Sequence, residues 1–139
     1  MSTVSPKLSA SPLPGKTLRI VHVDDVPQLR EVIRLSLGRD GHAVDSFADG
    51  ASALAHIKAN PGAIDLFISD HHMPRMNGLE VVHELRRISY GGRIFIFSSE
   101  IDHEVNDEYL ALRVDEVLPK PILLPELRQL LADYWPAGT

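Results

Sequence analysis

The chain contains 139 residues, of which 44% are hydrophobic and 24% are charged, as expected for one globular domain. Its 19 Asp and Glu against 14 Lys and Arg give a formal net charge of -5, which argues against direct binding of nucleic acid. The absence of cysteine excludes disulfides, thiol catalysis and Cys-based zinc sites. Because we find neither a secretory signal nor an apolar run of roughly 20 residues, we expect a cytoplasmic protein without membrane insertion.

Composition divides the chain into a folded region and two short ends. Residues 1–16 are rich in Ser, Pro and small residues without periodicity, which predicts a disordered or loosely attached arm. A folded domain is predicted over residues 17–135, followed by a tail over residues 136–139. There is no internal repeat and no second composition regime, so we expect no separate output domain within this sequence.

Strands and helices are predicted to alternate along the folded region. Short apolar runs predict five strands at residues 18–23, 43–47, 64–69, 94–97 and 116–118. Amphipathic stretches predict five helices, which begin near Pro27, Asp49, Asn77, Asp102 and Pro125. Strands separated by helices pair in parallel, and apolar strands without strict alternation are covered on both faces. The pattern therefore predicts an α/β fold with a doubly wound parallel sheet.

Polar side chains follow the predicted strands at the points where these strands end. Asp24 and Asp25 follow the first strand, and Asp70 follows the third. Ser98 and Lys120 follow the fourth and the fifth. Ligands of open α/β sheets bind beyond the carboxyl ends of the strands, between strands 1 and 3 for the flavodoxin-like order 2-1-3-4-5. We therefore expect the carboxylates to converge there, beside a hydroxyl and an amine.

This set of side chains is suited to phosphoryl transfer. Neighbouring carboxylates repel one another, and a hard cation removes the repulsion. Mg²⁺ prefers oxygen ligands and commonly joins carboxylates to phosphate. A carboxylate beside Mg²⁺ can itself attack phosphorus and form an aspartyl phosphate. Positive charge around the phosphoryl oxygens supports such a transfer, and here Lys120 and the Ser98 hydroxyl would contact them.

The segment after the third strand carries the most specific motif. Residues Asp70 to Gly78 read D-x-x-M-P-x-M-x-G, and they accompany the paired acids, Ser98 and Lys120–Pro121. Over residues 17–135 these features resemble the receiver domain of two-component response regulators. The resemblance implies that Asp70 is the phosphoacceptor and that Ser98 and Lys120 contact the phosphoryl group. It also implies a Mg²⁺ site formed by Asp24, Asp25, Asp70 and the backbone carbonyl of His72.

The resemblance further implies a stand-alone switch that is phosphorylated by a histidine kinase or a histidine phosphotransfer protein. Such a domain catalyses its own phosphorylation and slow dephosphorylation, acts on no metabolite, and signals to an unidentified downstream protein by changing conformation. His72 and Glu100 occupy positions that flank the hydrolytic water in this family, so we expect them to tune the phosphoryl lifetime. The apolar C-terminal helix also suggests a homodimer through that face.

One departure from the family pattern leaves other functions open. Val117 stands where receivers usually carry an aromatic residue that swings inward on phosphorylation. An aliphatic side chain has no ring to move, so the chain could be a pseudo-receiver, an interaction module that works without phosphorylation. A metal-dependent phosphohydrolase with an aspartyl-phosphate intermediate is a second alternative. Those enzymes usually carry an Asp two residues after the nucleophile, where this chain has His72.

Some of these polar residues also have purely structural interpretations. Asp24 and Asp25 precede a helix, and we expect Asp25 to contribute to capping it. His22 lies within the first strand and is expected to be a hydrogen-bonded core group. His71 and His72 suggest a transition-metal site, but adjacent side chains at a strand end are expected to point apart, which disfavours it.

Overall fold

The computed structural model describes residues 13–99 and 102–138, so most of the predicted arm lies outside the described residues. The strands are β1 (Arg19–Val23), β2 (Ala43–Phe47), β3 (Leu66–Asp70), β4 (Arg93–Ser98) and β5 (Glu116–Pro119). The helices are α1 (Pro27–Arg39), α2 (Gly50–Ala59), α3 (Gly78–Arg87), α4 (His103–Ala111) and α5 (Leu124–Tyr134). All strand pairs are parallel, and the order β2-β1-β3-β4-β5 confirms the predicted doubly wound sheet.

The described residues fall into two compact units. The larger unit runs from Leu18 to Pro121 and holds the sheet together with α1 to α4. The smaller unit contains α5 and the described residues before Leu18, where the Gly15 N–H donates to the Trp135 carbonyl oxygen at 2.7 Å. Within residues 13–99 and 102–138, every helix is too short or too polar to span a bilayer.

An apolar cluster fills the face of the sheet that α2, α3 and α4 cover. Val21 and Val23 of β1 point into this cluster, whereas Ile20 and His22 alternate to the opposite face. The chain moves in one direction from β1 to β2 and in the other from β3 to β4. Right-handed crossovers therefore place α1 and α3 on opposite faces. Because both faces are covered, β3 is buried along its whole length, including Asp70.

Three helices begin at residues whose side chains satisfy free backbone N–H groups. Asp49 and Asp102 each accept a hydrogen bond from the N–H three residues further on, at 2.7 and 2.8 Å, which confirms the predicted caps of α2 and α4. Asn77 and Glu80 form a reciprocal capping box at the start of α3. These caps fix the helix starts close to the edge of the sheet where the strands end.

Gly78, the first residue of α3, has no room for a side chain. An added Cβ would lie 2.7 Å from the Tyr109 hydroxyl oxygen and 3.0 Å from the Asp70 carbonyl oxygen. Since the carbonyl belongs to a buried strand, we expect Gly78→Ala to lower the free energy of unfolding by about 1–3 kcal/mol.

Gly38→Ala is the matched control for this prediction. A Cβ at Gly38 would meet no atom within 4 Å outside its own helix, so alanine should raise the free energy of unfolding by about 0.5–1 kcal/mol. Urea unfolding of the two variants measures both effects. A Gly78→Ala variant as stable as the wild type would contradict this prediction, because it would mean that the atoms around Gly78 can move aside without loss of stability.

Candidate functional site

Three carboxylates lie together at the carboxyl ends of β1 and β3. Asp24, Asp25 and Asp70 each offer an oxygen, and these oxygens lie within 4.8 Å of one another. β1 and β3 are adjacent and parallel, which brings the residues after Val23 and Ser69 to one edge of the sheet. Asp24 and Asp70 are buried, whereas Asp25 is exposed. Two of the three carboxylates are therefore buried, and the third faces solvent.

Lys120 brings a positive charge to these carboxylates from the end of β5. Its Nζ donates to Asp70 Oδ2 at 2.8 Å and lies 3.8 Å from Asp24 Oδ2. The Lys120 backbone N–H donates to the Ser98 carbonyl oxygen at 2.8 Å, which holds the end of β5 against β4. The peptide bond between Lys120 and Pro121 is cis. The ammonium group thus faces two of the three acids.

Asp24 is the carboxylate that burial affects most clearly. Only 3% of the residue is exposed, and burial raises the pKa of Asp24 although Val26 and Lys120 act in the opposite direction. Its Oδ1 accepts a hydrogen bond from the Val26 N–H at 2.9 Å. Val26 itself is the N-cap of α1 and provides no side-chain hydrogen bond. The prediction that Asp25 helps to cap α1 is therefore wrong, since Asp24 orders the chain before this helix.

Ser98 ends β4 beside the cluster. It is buried, with 2% of its surface exposed, whereas its neighbour Ser99 is exposed. Asp70 is paired in register with Phe97, the residue before Ser98, so the two strand ends lie at the same level. Glu100 lies outside the described residues.

The two histidines after Asp70 have different surroundings. His71 is buried and its Nδ1 is hydrogen-bonded to the Tyr109 hydroxyl at 2.5 Å, whereas His72 is exposed. Their rings nevertheless meet edge to face, with centroids 4.8 Å apart, so the prediction that they point apart is wrong. Burial lowers the pKa of His71 and raises that of Tyr109. Both groups are therefore neutral at neutral pH, and one shared hydrogen bond joins them.

His22 is buried in β1 close to the cluster. Among the described residues its Nδ1 has no hydrogen-bond partner, so the expected hydrogen bond is not found at that atom. Burial, together with the charges of Lys120 and Arg30, lowers the pKa of His22 to about 4. His22 is therefore neutral at neutral pH and adds no charge to the site.

Val117 lies on β5, paired in register with Ile96. It is half-buried and packs against the apolar cluster of α2, α3 and α4. A valine provides packing there but no polar group. Close to Asp70, the hydroxyl group belongs instead to Tyr109 of α4, which is hydrogen-bonded to His71. No sequence motif marks Tyr109 for this contact.

Comparison with known proteins identifies the family. The family model described as the response regulator receiver domain matches residues 20–132. The response regulator MprA of Mycobacterium avium is 34% identical over 110 residues, which cover 79% of this chain and 47% of MprA. The sensor histidine kinase AruS of Pseudomonas aeruginosa is 35% identical over 120 residues, 84% of this chain and 12% of the kinase. The chain thus spans about half of one relative and a small part of the other.

Solved structures agree with this match. The chemotaxis protein CheY4 of Vibrio cholerae superposes with a TM-score of 0.73 at 30% identity, covering 86% of this chain and 97% of that one. The response regulator TrrA of Thermotoga maritima, described in complex with Mg²⁺ and BeF, gives a TM-score of 0.73 at 28% identity, with 84% and 98% covered. The chain therefore belongs to the response regulator receiver domain family of two-component systems.

Proposed function

We propose that this receiver domain accepts a phosphoryl group on Asp70 from a phosphohistidine donor. The observation that carries the proposal is the 2.8 Å contact between Lys120 Nζ and Asp70 Oδ2, set among three clustered carboxylates. An aspartate oxygen beside a lysine amine lies where an incoming phosphoryl group meets positive charge. Family membership supports the same assignment.

The protein contributes to this transfer by positioning the reacting groups and by supplying positive charge. An oxygen of Asp70 attacks phosphorus and forms a P–O bond while the donor's P–N bond breaks, and the leaving imidazole keeps that electron pair. Lys120 and the Ser98 hydroxyl would contact the phosphoryl oxygens and offset their negative charge. The domain would then catalyse its own phosphorylation and the slow hydrolysis of the product, without turning over a metabolite.

We further propose that Mg²⁺ binds beside Asp70. Asp24, Asp25 and Asp70 present hard oxygen ligands within 4.8 Å of one another, which is the donor type that Mg²⁺ prefers. Burial raises the pKa of Asp24, and a divalent cation beside it would favour the ionised form of this carboxylate. The His72 backbone carbonyl would be a further ligand. When bound, Mg²⁺ supplies positive charge for the transfer, and the TrrA structure with Mg²⁺ and BeF supports this assignment.

The proposed donor is a histidine kinase or a histidine phosphotransfer protein that docks on α1. This helix begins two residues after Asp25, and four large apolar side chains on it or just before it are 39–48% exposed. They are Val26, Leu29, Val32 and Leu35. An exposed apolar surface of this kind marks an interaction site. By contrast, Leu127 and Leu131 of α5 are buried, which weakens the prediction of a homodimer through that helix.

Intact mass spectrometry tests the proposed function. We expect incubation with Mg²⁺ and acetyl phosphate to add one phosphoryl group to the wild type and none to Asp70→Asn. The amide is close in size to the carboxylate but is not a nucleophile toward phosphorus. Asp49→Asn, a change of the same kind at the start of α2, is the control and should be phosphorylated like the wild type.

The same experiment separates the alternatives. A protein that never gains mass would be a pseudo-receiver, an interaction module that the aliphatic Val117 also fits. Repeated release of phosphate from simple phosphate esters would identify a phosphohydrolase. Either result overturns the proposed function.

His72 and Glu100 are proposed to set the lifetime of the phosphoryl group. His72 is exposed and lines a shallow depression with Asp25 and Asn77, where it can reach water that approaches Asp70. We expect His72→Ala and Glu100→Ala to change the half-life of the phosphorylated protein without changing the site of phosphorylation. The decay of the phosphorylated mass, followed after acetyl phosphate is removed, measures this. Unchanged half-lives in both variants would rule the idea out.

A further inference from the structure

A hydrogen bond joins α4 to the residue that follows Asp70. The Tyr109 hydroxyl and His71 Nδ1 are 2.5 Å apart, and the two rings pack edge to face with centroids 5.4 Å apart. Tyr109 is fully buried at 0% exposure. Such a buried pair of polar groups is costly to separate, because neither would find water in its place.

The backbone of His71 is held on both sides. Its N–H donates to the Phe97 carbonyl oxygen of β4 at 2.8 Å, and its own carbonyl oxygen accepts from the Gly78 N–H at 3.0 Å. The imidazole therefore projects from a fixed part of the chain, one residue from the proposed phosphoacceptor. Tyr109 bonds to a rigid point and not to a loose side chain.

Tyr109 is also the main attachment of α4. It is the one buried residue of this helix, and Leu110 beside it is 58% exposed. The missing side chain at Gly78 leaves the space in which the Tyr109 hydroxyl lies, since a Cβ there would be 2.7 Å away. Tyr109 is thus the most deeply buried contact of α4, beside the partly buried Val105 and Leu112 that pack against the same cluster.

A second connection reaches α4 from the same site along the chain. Ser98, which is proposed to contact the phosphoryl group, lies only four residues before Asp102, the N-cap of α4. A phosphoryl group adds about one unit of negative charge at Asp70, which draws hydroxyl and ammonium groups toward it. The site therefore approaches α4 at two points, along the chain at Asp102 and through the hydrogen bond of His71 at Tyr109.

We propose that the hydrogen bond between His71 and Tyr109 couples the phosphorylation of Asp70 to the position of α4. This inference rests on the proposed function. It gives the domain a link between its site and a surface helix at a place where Val117 provides neither an aromatic ring nor a hydroxyl.

Hydrogen exchange of the full chain tests the coupling, with Tyr109→Phe as the variant. In the wild type we expect exchange over residues 103–111 to change when Mg²⁺ and acetyl phosphate are added. In Tyr109→Phe we expect exchange in α4 to be about fivefold faster without phosphorylation, the factor that corresponds to one net hydrogen bond. The phosphorylation-dependent change should be lost, while intact mass still reports one phosphoryl group.

Tyr90→Phe is the matched control. The Tyr90 hydroxyl donates to the Ile64 carbonyl oxygen at 3.2 Å, in another part of the same unit, so this variant also loses one tyrosine hydrogen bond. It should keep the wild-type response of α4. If Tyr109→Phe does not fold, His71→Phe removes the same bond and keeps a ring beside Tyr109.

The possible failures are distinguishable. A normal phosphoryl adduct together with a wild-type response of α4 in Tyr109→Phe would overturn the coupling alone, and so would equal loss of the response in Tyr90→Phe. The absence of an adduct on the wild type would overturn the proposed function and the coupling with it.

Discussion

Lys120→Met is expected to slow the phosphorylation of Asp70 by acetyl phosphate roughly 100- to 1000-fold. Lys120 Nζ lies 2.8 Å from Asp70 Oδ2 and is the ammonium group that faces the acceptor oxygen. The charge on the transferring group is spread over its oxygens, so a preorganised cation beside it lowers the barrier. Methionine has a similar length but carries no charge. The initial rate of the mass increase, at saturating Mg²⁺, measures the effect.

Lys58→Met is the control for this change. Lys58 is exposed on α2, away from the carboxylate cluster, and its variant should be phosphorylated at the wild-type rate. A Lys120→Met rate within about threefold of the wild type would be far below the expected contribution of an electrostatic contact. It would mean that Lys120 does not act on the phosphoryl group.

The second large effect is expected at Asp24. Burial raises the pKa of Asp24 in the folded protein, so the folded state holds its proton more tightly than the unfolded state does. Stability therefore falls as pH rises through the interval between the unfolded and folded pKa values, and this loss is complete above the folded pKa. Without divalent cations, Asp24→Asn should consequently be more stable than the wild type at pH 7. Its amide oxygen can still accept the 2.9 Å hydrogen bond from the Val26 N–H.

Magnesium should reverse this order. A cation that binds only the folded state adds about 2.7 kcal/mol to stability at a concentration one hundred times its dissociation constant. We expect the wild type to gain stability in this way and Asp24→Asn to gain little and to be phosphorylated poorly. Urea unfolding with Mg²⁺ and with a chelator measures both stabilities.

Asp49→Asn removes a carboxylate of similar local geometry, since the Asp49 side chain also accepts a backbone N–H bond. This variant should respond to Mg²⁺ like the wild type. A wild type that Mg²⁺ does not stabilise, or an Asp24→Asn variant stabilised as much as the wild type, would contradict a magnesium site at these carboxylates.

The fold and the position of the site could be predicted because each rests on a simple rule. Apolar runs separated by amphipathic stretches predict parallel strands, and the carboxyl ends of such strands meet at one edge. Asp24 is therefore expected near Asp70 although 46 positions separate them, and their oxygens do lie within 4.8 Å of one another. The identity of the residue at each strand end is enough to predict where the carboxylates meet.

The contacts that depend on side-chain packing could not be predicted. The bond between His71 and Tyr109 joins residues 38 positions apart, and neither periodicity nor a motif marks Tyr109 as its partner. The two adjacent histidines have rings that meet edge to face because the backbone leaves the strand after Asp70, where strand alternation no longer applies. In the same way, the position of Asp25 just before α1 predicts a cap. In the structure it is Asp24 that accepts the hydrogen bond from the Val26 N–H, and Asp25 is exposed.

The most direct test locates the phosphoryl group among the three acids. Borohydride reduces an aspartyl phosphate to homoserine, so fragment-ion mass spectrometry of the reduced protein reports which residue was phosphorylated. Asp24, Asp25 and Asp70 offer oxygens within 4.8 Å of one another, so all three are candidates by proximity. The proposed function predicts homoserine at position 70 alone. Homoserine at position 24 or 25, or at none of the three, would contradict it.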